Sequence, residues 1–285
     1  MTVSVFYNQE QWQELMANMI KPFIESERGD LMHWYVSLNT SRGEHITVAF
    51  DPENSTSKAK FLPLASSYLS LSPSAIKEIS YPLDGLFMDY PNNSIQLDID
   101  MHINQGDKSI ASLRRKFSEI LLVIGSSWEM DMESIFTFIV YLQLGIIKAG
   151  YDNSKRARMA GLKLLLFLNT QDGGGATDET MTENPNNMPF IRIFDINKNL
   201  IGEIIEDIWS GREQDQELQW MEEWEAACHP FFADREFHQA FVLLSRVCYE
   251  QLGLYGGNIQ NLASRQLLKI FIPAIKRVNS MIRIA

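Results

Sequence analysis

Residues 32–50, MHWYVSLNTSRGEHITVAF, show a strand–turn–strand pattern on which the fold prediction rests. His33, Tyr35 and Ser37 alternate with apolar residues, a polar turn TSRG follows, and residues 44–50 alternate again. Successive side chains of a strand point to opposite faces, so this pattern predicts two strands joined by a tight turn. The N-terminal part of the chain is therefore predicted to contain an antiparallel β-hairpin.

Other elements can be placed around this hairpin. Val3 and Val5 indicate a first strand, and residues 94–103, SIQLDIDMHI, alternate almost perfectly and indicate another. Apolar residues recur every three or four positions in residues 12–23 and again from about residue 107 onward, which is the spacing of amphipathic helices. We predict an α+β fold whose N-terminal half holds antiparallel hairpins and an amphipathic helix and whose C-terminal half is mainly α-helical.

The length of 285 residues fits a single domain, 1–285. The change of pattern divides it into a β-rich lobe, 1–106, and a helical lobe, 107–285. Residues 51–73 are rich in Ser, Lys and Pro and are interpreted as a connector with a possible helix at 59–71. Residues 169–189 are poor in apolar residues and rich in Gly, Asn and Thr, so they are predicted to form a long mobile loop.

The overall charge argues against whole classes of partner. With 25 Lys and Arg against 36 Asp and Glu, the net charge of −11 repels nucleic acid and anionic membranes at long range. The longest apolar run, 135–147, is shorter than the roughly 20 residues of a membrane span, so we predict a buried helix and no membrane partner. Cys228 and Cys248 have no metal-ligand spacing and are expected as reduced thiols. These features, and a start without a signal peptide, predict a cytoplasmic protein.

The predicted strand 94–103 offers one arrangement that could bind a metal. Asp98, Asp100 and His102 share one strand face and could together hold a divalent cation. A sheet with one solvated face gives the same alternation, and we favour that interpretation. No metal and no organic cofactor is predicted.

The densest polar cluster lies on the hairpin. It offers two imidazoles, a phenol, a guanidinium and a carboxylate, from His33, Tyr35, Arg42, Glu44 and His45. Histidine moves a proton near neutral pH and arginine holds carboxylates, so the group suits proton abstraction or elimination. A hairpin tip also collects polar residues for structural reasons alone.

The order of these elements resembles a known family. The motifs are the turn Lys21-Pro22-Phe23, the aromatic strand from His33 to Val36, the run RGEHITVAF at 42–50 and the helix SRVCYEQLG at 245–253. In this order they resemble the C-terminal elimination domain of class I lanthipeptide dehydratases and its stand-alone relatives, the thiopeptide-type bacteriocin biosynthesis proteins, which include pyridine synthases. The resemblance covers nearly the whole chain.

The resemblance implies a precursor peptide as substrate and a reaction that needs no cofactor. In elimination a base removes the α-proton of a modified Ser or Thr, whereas pyridine synthases close a ring on a dehydrated peptide. It assigns acid or base work to His45 or Tyr35 and carboxylate binding to Arg42. The further residues expected to contact substrate are His33, Glu44, Thr47, Arg246 and Gln251.

The sequence departs from the family at charged positions. Thr47 and Ala49 stand where the family strand carries arginines, and residues 245–253 lack the histidine expected in that helix. Three functions stay open: an elimination or cycloaddition enzyme, a non-catalytic peptide-binding partner of a split dehydratase, and an α+β protein with an unknown small-molecule site. The partners expected are the precursor peptide, a companion dehydratase subunit and a second copy of the chain, since the long helices that bear Trp and Met could support a homodimer.

Overall fold

The structure, a computed structural model, describes residues 2–31, 33–50, 55–76, 89–98, 108–171, 188–210, 219–254 and 259–281. The chain divides into two compact units. The first comprises Met1–Ile135 and Glu250–Leu254, and the second comprises Phe136–Tyr249 and Tyr255–Ala285. The first unit holds a β-sheet and the second is helical where it is described, so the predicted α+β class is confirmed.

The first unit is built on a four-stranded antiparallel sheet. Its strands are β1 (Thr2–Phe6), β2 (Trp34–Asn39), β3 (His45–Phe50) and β4 (Ser94–Leu97), in the order β2-β3-β1-β4. The predicted hairpin is confirmed, because Tyr35 pairs with Ala49 and Asn39 with His45. The predicted first strand is β1, in the interior of the sheet between β3 and β4.

The last strand is shorter than the alternation predicted. It ends at Leu97, because Asp98 adopts a left-handed backbone with φ of 55° and its Oδ1 accepts the Thr2 amide at 2.7 Å. Asp100 and His102 lie outside the described residues. The prediction of a continuous strand over 94–103 is therefore wrong at Asp98, which is the last described residue of that range.

Helices cover the apolar face of the sheet. A continuous helical segment, α1, runs through Gln9–Gln11 as a 3₁₀ turn, Trp12–Leu15, a π-helical stretch Met16–Ile20 and Lys21–Ser26. It is followed by α2 (Ser55–Leu71) and α3 (Lys108–Gly125). The rings of Phe23 in α1, Phe61 in α2 and Phe50 in β3 meet with centroids 5.0–6.3 Å apart, which joins these layers into one core.

One sequence interpretation of this unit needs correction. The stretch 51–73, interpreted mainly as a connector with a possible helix at 59–71, contains the 17-residue helix α2, which buries Phe61, Ala65 and Leu69. The division into lobes at residue 106 stays a prediction, and the first compact unit also includes α3. The Ser118 hydroxyl of α3 accepts the backbone N–H of Val36 in β2 at 2.8 Å, so the first unit continues to Ile135.

The second unit is helical throughout its described part. Its helices are α4 (Met132–Gly150), α5 (Ser154–Gln171), α6 (Met188–Ile196), α7 (Lys198–Ser210), α8 (Gln219–Cys228), α9 (Phe237–Gln251) and α10 (Ile259–Met281). The first residues of α4 and the last of α9 belong to the first unit. Within the predicted loop 169–189, residues 172–187 lie outside the described residues, and the described ends belong to α5 and α6.

The helix α4 is the apolar centre of the second unit. By length and composition it could cross a membrane, but 61% of its apolar window is buried within the protein, as expected of a core helix. The Trp224 indole of α8 donates to the Leu142 carbonyl of α4 at 3.0 Å. Gly145 lets this ring approach, since a Cβ there would lie 2.8 Å from Trp224 Cδ1.

Candidate functional site

One face of the sheet is polar and nevertheless buried. Alternation along β1, β2 and β3 places seven polar side chains on it, none more than 7% exposed: Thr2, Ser4, Tyr35, Ser37, Asn39, His45 and Thr47. We call these residues the polar sheet face. Buried polar groups are costly unless they are hydrogen-bonded, so a face of this kind needs partners for each of them.

Some of these partners are present within the sheet. The hydroxyls of Ser4 and Thr47 bond at 2.9 Å, and Asn39 Oδ1 accepts the Ser41 hydroxyl at 2.9 Å. Among the residues that the structure describes, the buried hydroxyl oxygens of Thr2 and Ser37 have no hydrogen-bond partner. The polar sheet face therefore keeps unused donor and acceptor capacity.

A buried cation stands beside this face. Arg114 of α3 is 6% exposed, pairs through Nη2 with Glu250 Oε2, and lies with its Cζ 5.8 Å from the centre of the Tyr35 ring. Its Nε and Nη1 are buried, and no hydrogen-bond partner for them lies in the described part of the chain. Guanidinium N–H groups bind carboxylates strongly, so Arg114 can receive an anion in addition to Glu250.

The C-terminal end of α9 and the residues that follow it hold this arrangement in place. Gln251 Nε2 donates to the Val36 carbonyl at 2.9 Å, to Ser118 Oγ at 2.9 Å and to the Arg114 carbonyl at 3.2 Å. Two residues later, Gly253 has φ of 70° and packs against the backbone of Leu38. We call Tyr35, Arg114, Glu250 and Gln251 the Arg114 cluster.

The hairpin tip forms a separate stacked group. Arg42 has φ of 59°, places its Cζ 4.2 Å over the Tyr90 ring and donates to the Tyr90 hydroxyl at 3.0 Å. The His45 ring stacks on Phe6 at 4.4 Å, and its Nδ1 lies 2.8 Å from the Gly43 carbonyl. Because a carbonyl only accepts, Nδ1 carries the proton of this bond.

Other predicted residues have different surroundings. Glu44 Oε2 accepts the Gln9 amide at 2.7 Å and so satisfies a donor at the start of α1. His33 is half-buried just before β2. Arg246 is exposed on α9 in the second unit.

The structure thus brings part of the predicted set together. Tyr35, His45 and Thr47 share the polar sheet face, and Gln251 reaches the β2 edge beside it. Sequence reasoning missed Arg114, although a signal existed. It lies three and seven residues before Phe117 and Leu121, so it occupies the buried stripe of an amphipathic helix. A charged residue at such a position is rarely buried unless it has a partner.

Metal ligation finds no support in the described part of the chain. Within those ranges no three or more His, Cys, Asp or Glu side chains group as ligands. Cys228 and Cys248 are both buried, and burial raises the pKa of the Cys228 thiol. The Cys228 thiol is therefore not activated as a nucleophile or ligand.

Comparison with known proteins places the fold. No family model and no curated protein matches the chain. Among solved structures, the pyridine synthase TbtD from thiomuracin biosynthesis superposes with a TM-score of 0.63 at 14% sequence identity. The match covers 97% of this chain and 98% of the synthase. The resemblance inferred from the hairpin motifs is thus confirmed at the level of fold: the chain has the fold of a thiopeptide pyridine synthase.

Proposed function

We propose that this chain is a tailoring protein in the biosynthesis of a ribosomally made, post-translationally modified peptide, and that it acts on a precursor peptide. The observation that carries the proposal is the likeness to the thiomuracin pyridine synthase, which extends over almost the full length of both chains. One fold hosts many reactions, so the site must supply the chemistry.

The Arg114 cluster supports an anionic peptide substrate. The family strand carries arginines at positions that are Thr47 and Ala49 here. Ala49 pairs with Tyr35, and the Tyr35 ring lies beside the Arg114 guanidinium. We assign to Arg114 the carboxylate binding that the missing strand arginines would perform.

The reaction would be elimination or ring formation at modified Ser or Thr residues. In elimination of a glutamyl ester, a base takes the α-proton, the C–H electron pair forms the C=C bond, and the C–O pair leaves with the glutamate carboxylate. Two alternative pairs could supply the chemistry: Tyr35 with Arg114 beside it, or His45 with Arg42 on the hairpin tip. In each pair the first residue would act as base or acid and the arginine would hold the leaving carboxylate. Ring formation on a peptide that is already dehydrated would use the acid and base groups alone.

The second candidate is a non-catalytic peptide-binding subunit that works beside a companion dehydratase. The surroundings of His45 favour it. The imidazole is fully buried, stacked on Phe6 and bonded to the Gly43 carbonyl, which are the contacts of a structural histidine.

The test is co-expression with the precursor peptide encoded beside this gene, followed by mass spectrometry of the peptide with and without the chain. We expect a mass change from loss of a glutamyl adduct or from ring formation, and we expect Arg114→Met and Tyr35→Phe to abolish it. Arg28→Met, at an exposed arginine of the same unit, is the matched control.

The outcomes separate the candidates. Peptide retained on the immobilised chain but unchanged in mass would establish the binding subunit and remove the catalytic assignment. A peptide that is neither modified nor retained would overturn the proposal as a whole.

A further inference from the structure

The helix α5 concentrates positive charge in an acidic protein. Its sequence, SKRARMAGLKLLLFLNTQ, holds Lys155, Arg156, Arg158 and Lys163 and no Asp or Glu, whereas the whole chain has a net charge of −11. Asn153 begins the helix, with its Oδ1 accepting the amides of Lys155 and Arg156 at 3.0 and 3.3 Å.

This helix carries apolar residues on two opposite faces. The inner face, Ala157, Leu164 and Leu168, is buried, and Gly161 lets the Phe271 ring of α10 approach, since a Cβ there would lie 3.2 Å from it. The outer stripe consists of Met159, Leu162 and Leu166 at helical spacing i, i+3 and i+7. Met159 is 53% exposed and Leu166 is 67% exposed.

Three exposed cations lie next to this outer stripe. Lys155, Arg156 and Lys163 are exposed, and within the described ranges no carboxylate forms an ion pair with any of them. Two of them lie in the first turn of α5, where the helix dipole disfavours positive charge by about 0.3–1 kcal/mol each. No carboxylate in α5 offsets these two cations. Residues placed against a local preference in this way are typical of functional surfaces.

We propose that the outer face of α5 docks an acidic amphipathic helix of a partner polypeptide. The apolar side chains of that helix would cover Met159, Leu162 and Leu166, while its carboxylates would pair with Lys155, Arg156 and Lys163. Charge complementarity selects this occupant, because the cations and the helix N-terminus attract the same negative partner. The inference does not depend on the function proposed above.

Other occupants fit less well. A membrane surface would meet a stripe of only three aliphatic side chains on a protein whose net charge repels anionic lipid. A phosphate backbone has no apolar face to cover Leu166. A second copy of the chain would bring another charge of −11, which opposes association over its whole surface.

The experiment measures fluorescence anisotropy of a fluorescein-labelled helical peptide as long as α5, with Leu at i, i+3 and i+7 and Glu on its flanks, titrated with the full chain. The variants are Met159→Glu/Leu166→Glu and Lys155→Glu/Lys163→Glu. The matched control is Lys198→Glu/Leu200→Glu on α7, where Lys198 is exposed and Leu200 is 55% exposed. Circular dichroism of every variant establishes that it is folded.

We expect binding that weakens with ionic strength and falls at least about tenfold in either α5 variant, with the α7 control unchanged. Equal binding by wild type and both α5 variants would overturn the proposal. The proposal would also be overturned if the chain bound any of three other probes as tightly as the acidic peptide. These are the same peptide with Lys in place of Glu, single-stranded RNA, and vesicles of equal phosphatidylcholine and phosphatidylglycerol. A dimer in light scattering that both α5 variants dissociate would assign the surface to a second copy instead.

Discussion

Arg114 and Glu250 are 136 positions apart in the sequence and form an ion pair at the edge of β2. The arginine side chain is 7% exposed and the glutamate side chain is 30% exposed. The glutamate therefore neutralises a buried cation, while within the described residues Nε and Nη1 of the guanidinium have no hydrogen bond. The pair thus holds a guanidinium with unused N–H groups beside the Tyr35 ring.

Glu250→Gln should lower the free energy of unfolding by about 1–3 kcal/mol, which is below the range for fully buried pairs because Glu250 is partly exposed. The substitution leaves Arg114 charged and buried without its carboxylate. Urea denaturation measures the difference. Glu119→Gln is the control: its carboxylate is similarly exposed, but its partners Arg115 and Lys116 are 31% and 34% exposed, so stability should change by about 0.5 kcal/mol or less. Equal effects of the two substitutions would mean that the ion pair of Arg114 and Glu250 contributes no more to the free energy of unfolding than the ion pairs of Glu119 do.

Tyr35→Phe tests the phenol as an acid or base. The change removes one hydroxyl from a residue that is 7% exposed, so the protein should stay folded, while turnover of the precursor peptide should fall about 10²–10⁴-fold. Mass spectrometry of peptide modified over time gives the rate. The control is Tyr7→Phe, which removes a buried hydroxyl that donates to the Ser72 carbonyl at 2.8 Å. If both variants retain full turnover, Tyr35 is not the acid or base.

The hairpin could be predicted because its alternation is local, but its register could not. Asn39 pairs with His45, so the connection includes Glu44 and is one residue longer than the predicted turn TSRG. The burial of the hairpin's polar side chains could not be predicted either, because alternation shows which residues share a face but not what covers that face. The same limit applies to Arg114. Its helix was predictable, but its partner Glu250 is distant in sequence, and only the folded chain brings the two together.

The helix α2 shows a different limit. Its sequence interrupts the apolar residues with several Ser, two Lys and Pro63. Its buried apolar side chains, Phe61, Ala65 and Leu69, recur every four residues. Such a stripe is too narrow to resemble an amphipathic helix. The end of β4 could not be predicted from the sequence pattern either. The alternation of residue types continues past Asp98, but the backbone at Asp98 turns into the left-handed region.

His45→Asn separates catalysis from structure at the hairpin. The Asn amide can donate to the Gly43 carbonyl as His45 Nδ1 does, but the ring stack on Phe6 is lost, so stability should fall by about 1–3 kcal/mol. If His45 is the base, turnover disappears while peptide binding, measured by anisotropy, stays within a few-fold. Phe6→Leu removes the same stack and keeps the imidazole, so it should retain turnover. Full activity of His45→Asn would exclude the imidazole from the reaction.

Gly253→Ala should be strongly destabilising. The residue has φ of 70°, and a Cβ would lie 2.3 Å from the Leu38 carbonyl oxygen and 2.9 Å from Asn39 Cα, so backbone atoms would have to move. We expect a loss of at least about 3 kcal/mol in urea denaturation, since strain and overpacking add. Gly29→Ala is the control, because nothing lies within 4 Å of a Cβ there. A small effect at Gly253 would show that the segment after α9 does not hold the β2 edge.

The second unit contains a carboxyl group whose ionisation works against folding. Glu225 of α8 is partly buried and lies with Oε1 3.1 Å from Lys148 Nζ of α4. Burial raises its pKa above the ordinary value of 4.5, and the nearby Lys148 charge only partly opposes that shift. The folded protein therefore binds this proton more tightly than the unfolded chain does.

The sign of the pH dependence follows from linkage. Below about pH 4.5 Glu225 is protonated in both states, and as the pH rises the unfolded chain ionises first, so this contribution to stability is lost up to the folded-state pKa. We expect the unfolding free energy of wild type, minus that of Glu225→Gln, to decrease as the pH rises from about 4.5 towards neutrality and then to level off. Urea denaturation across this range measures it, with Glu203→Gln at an exposed carboxylate of α7 as the control. A difference that grows with pH would mean that the ion pair with Lys148 outweighs burial.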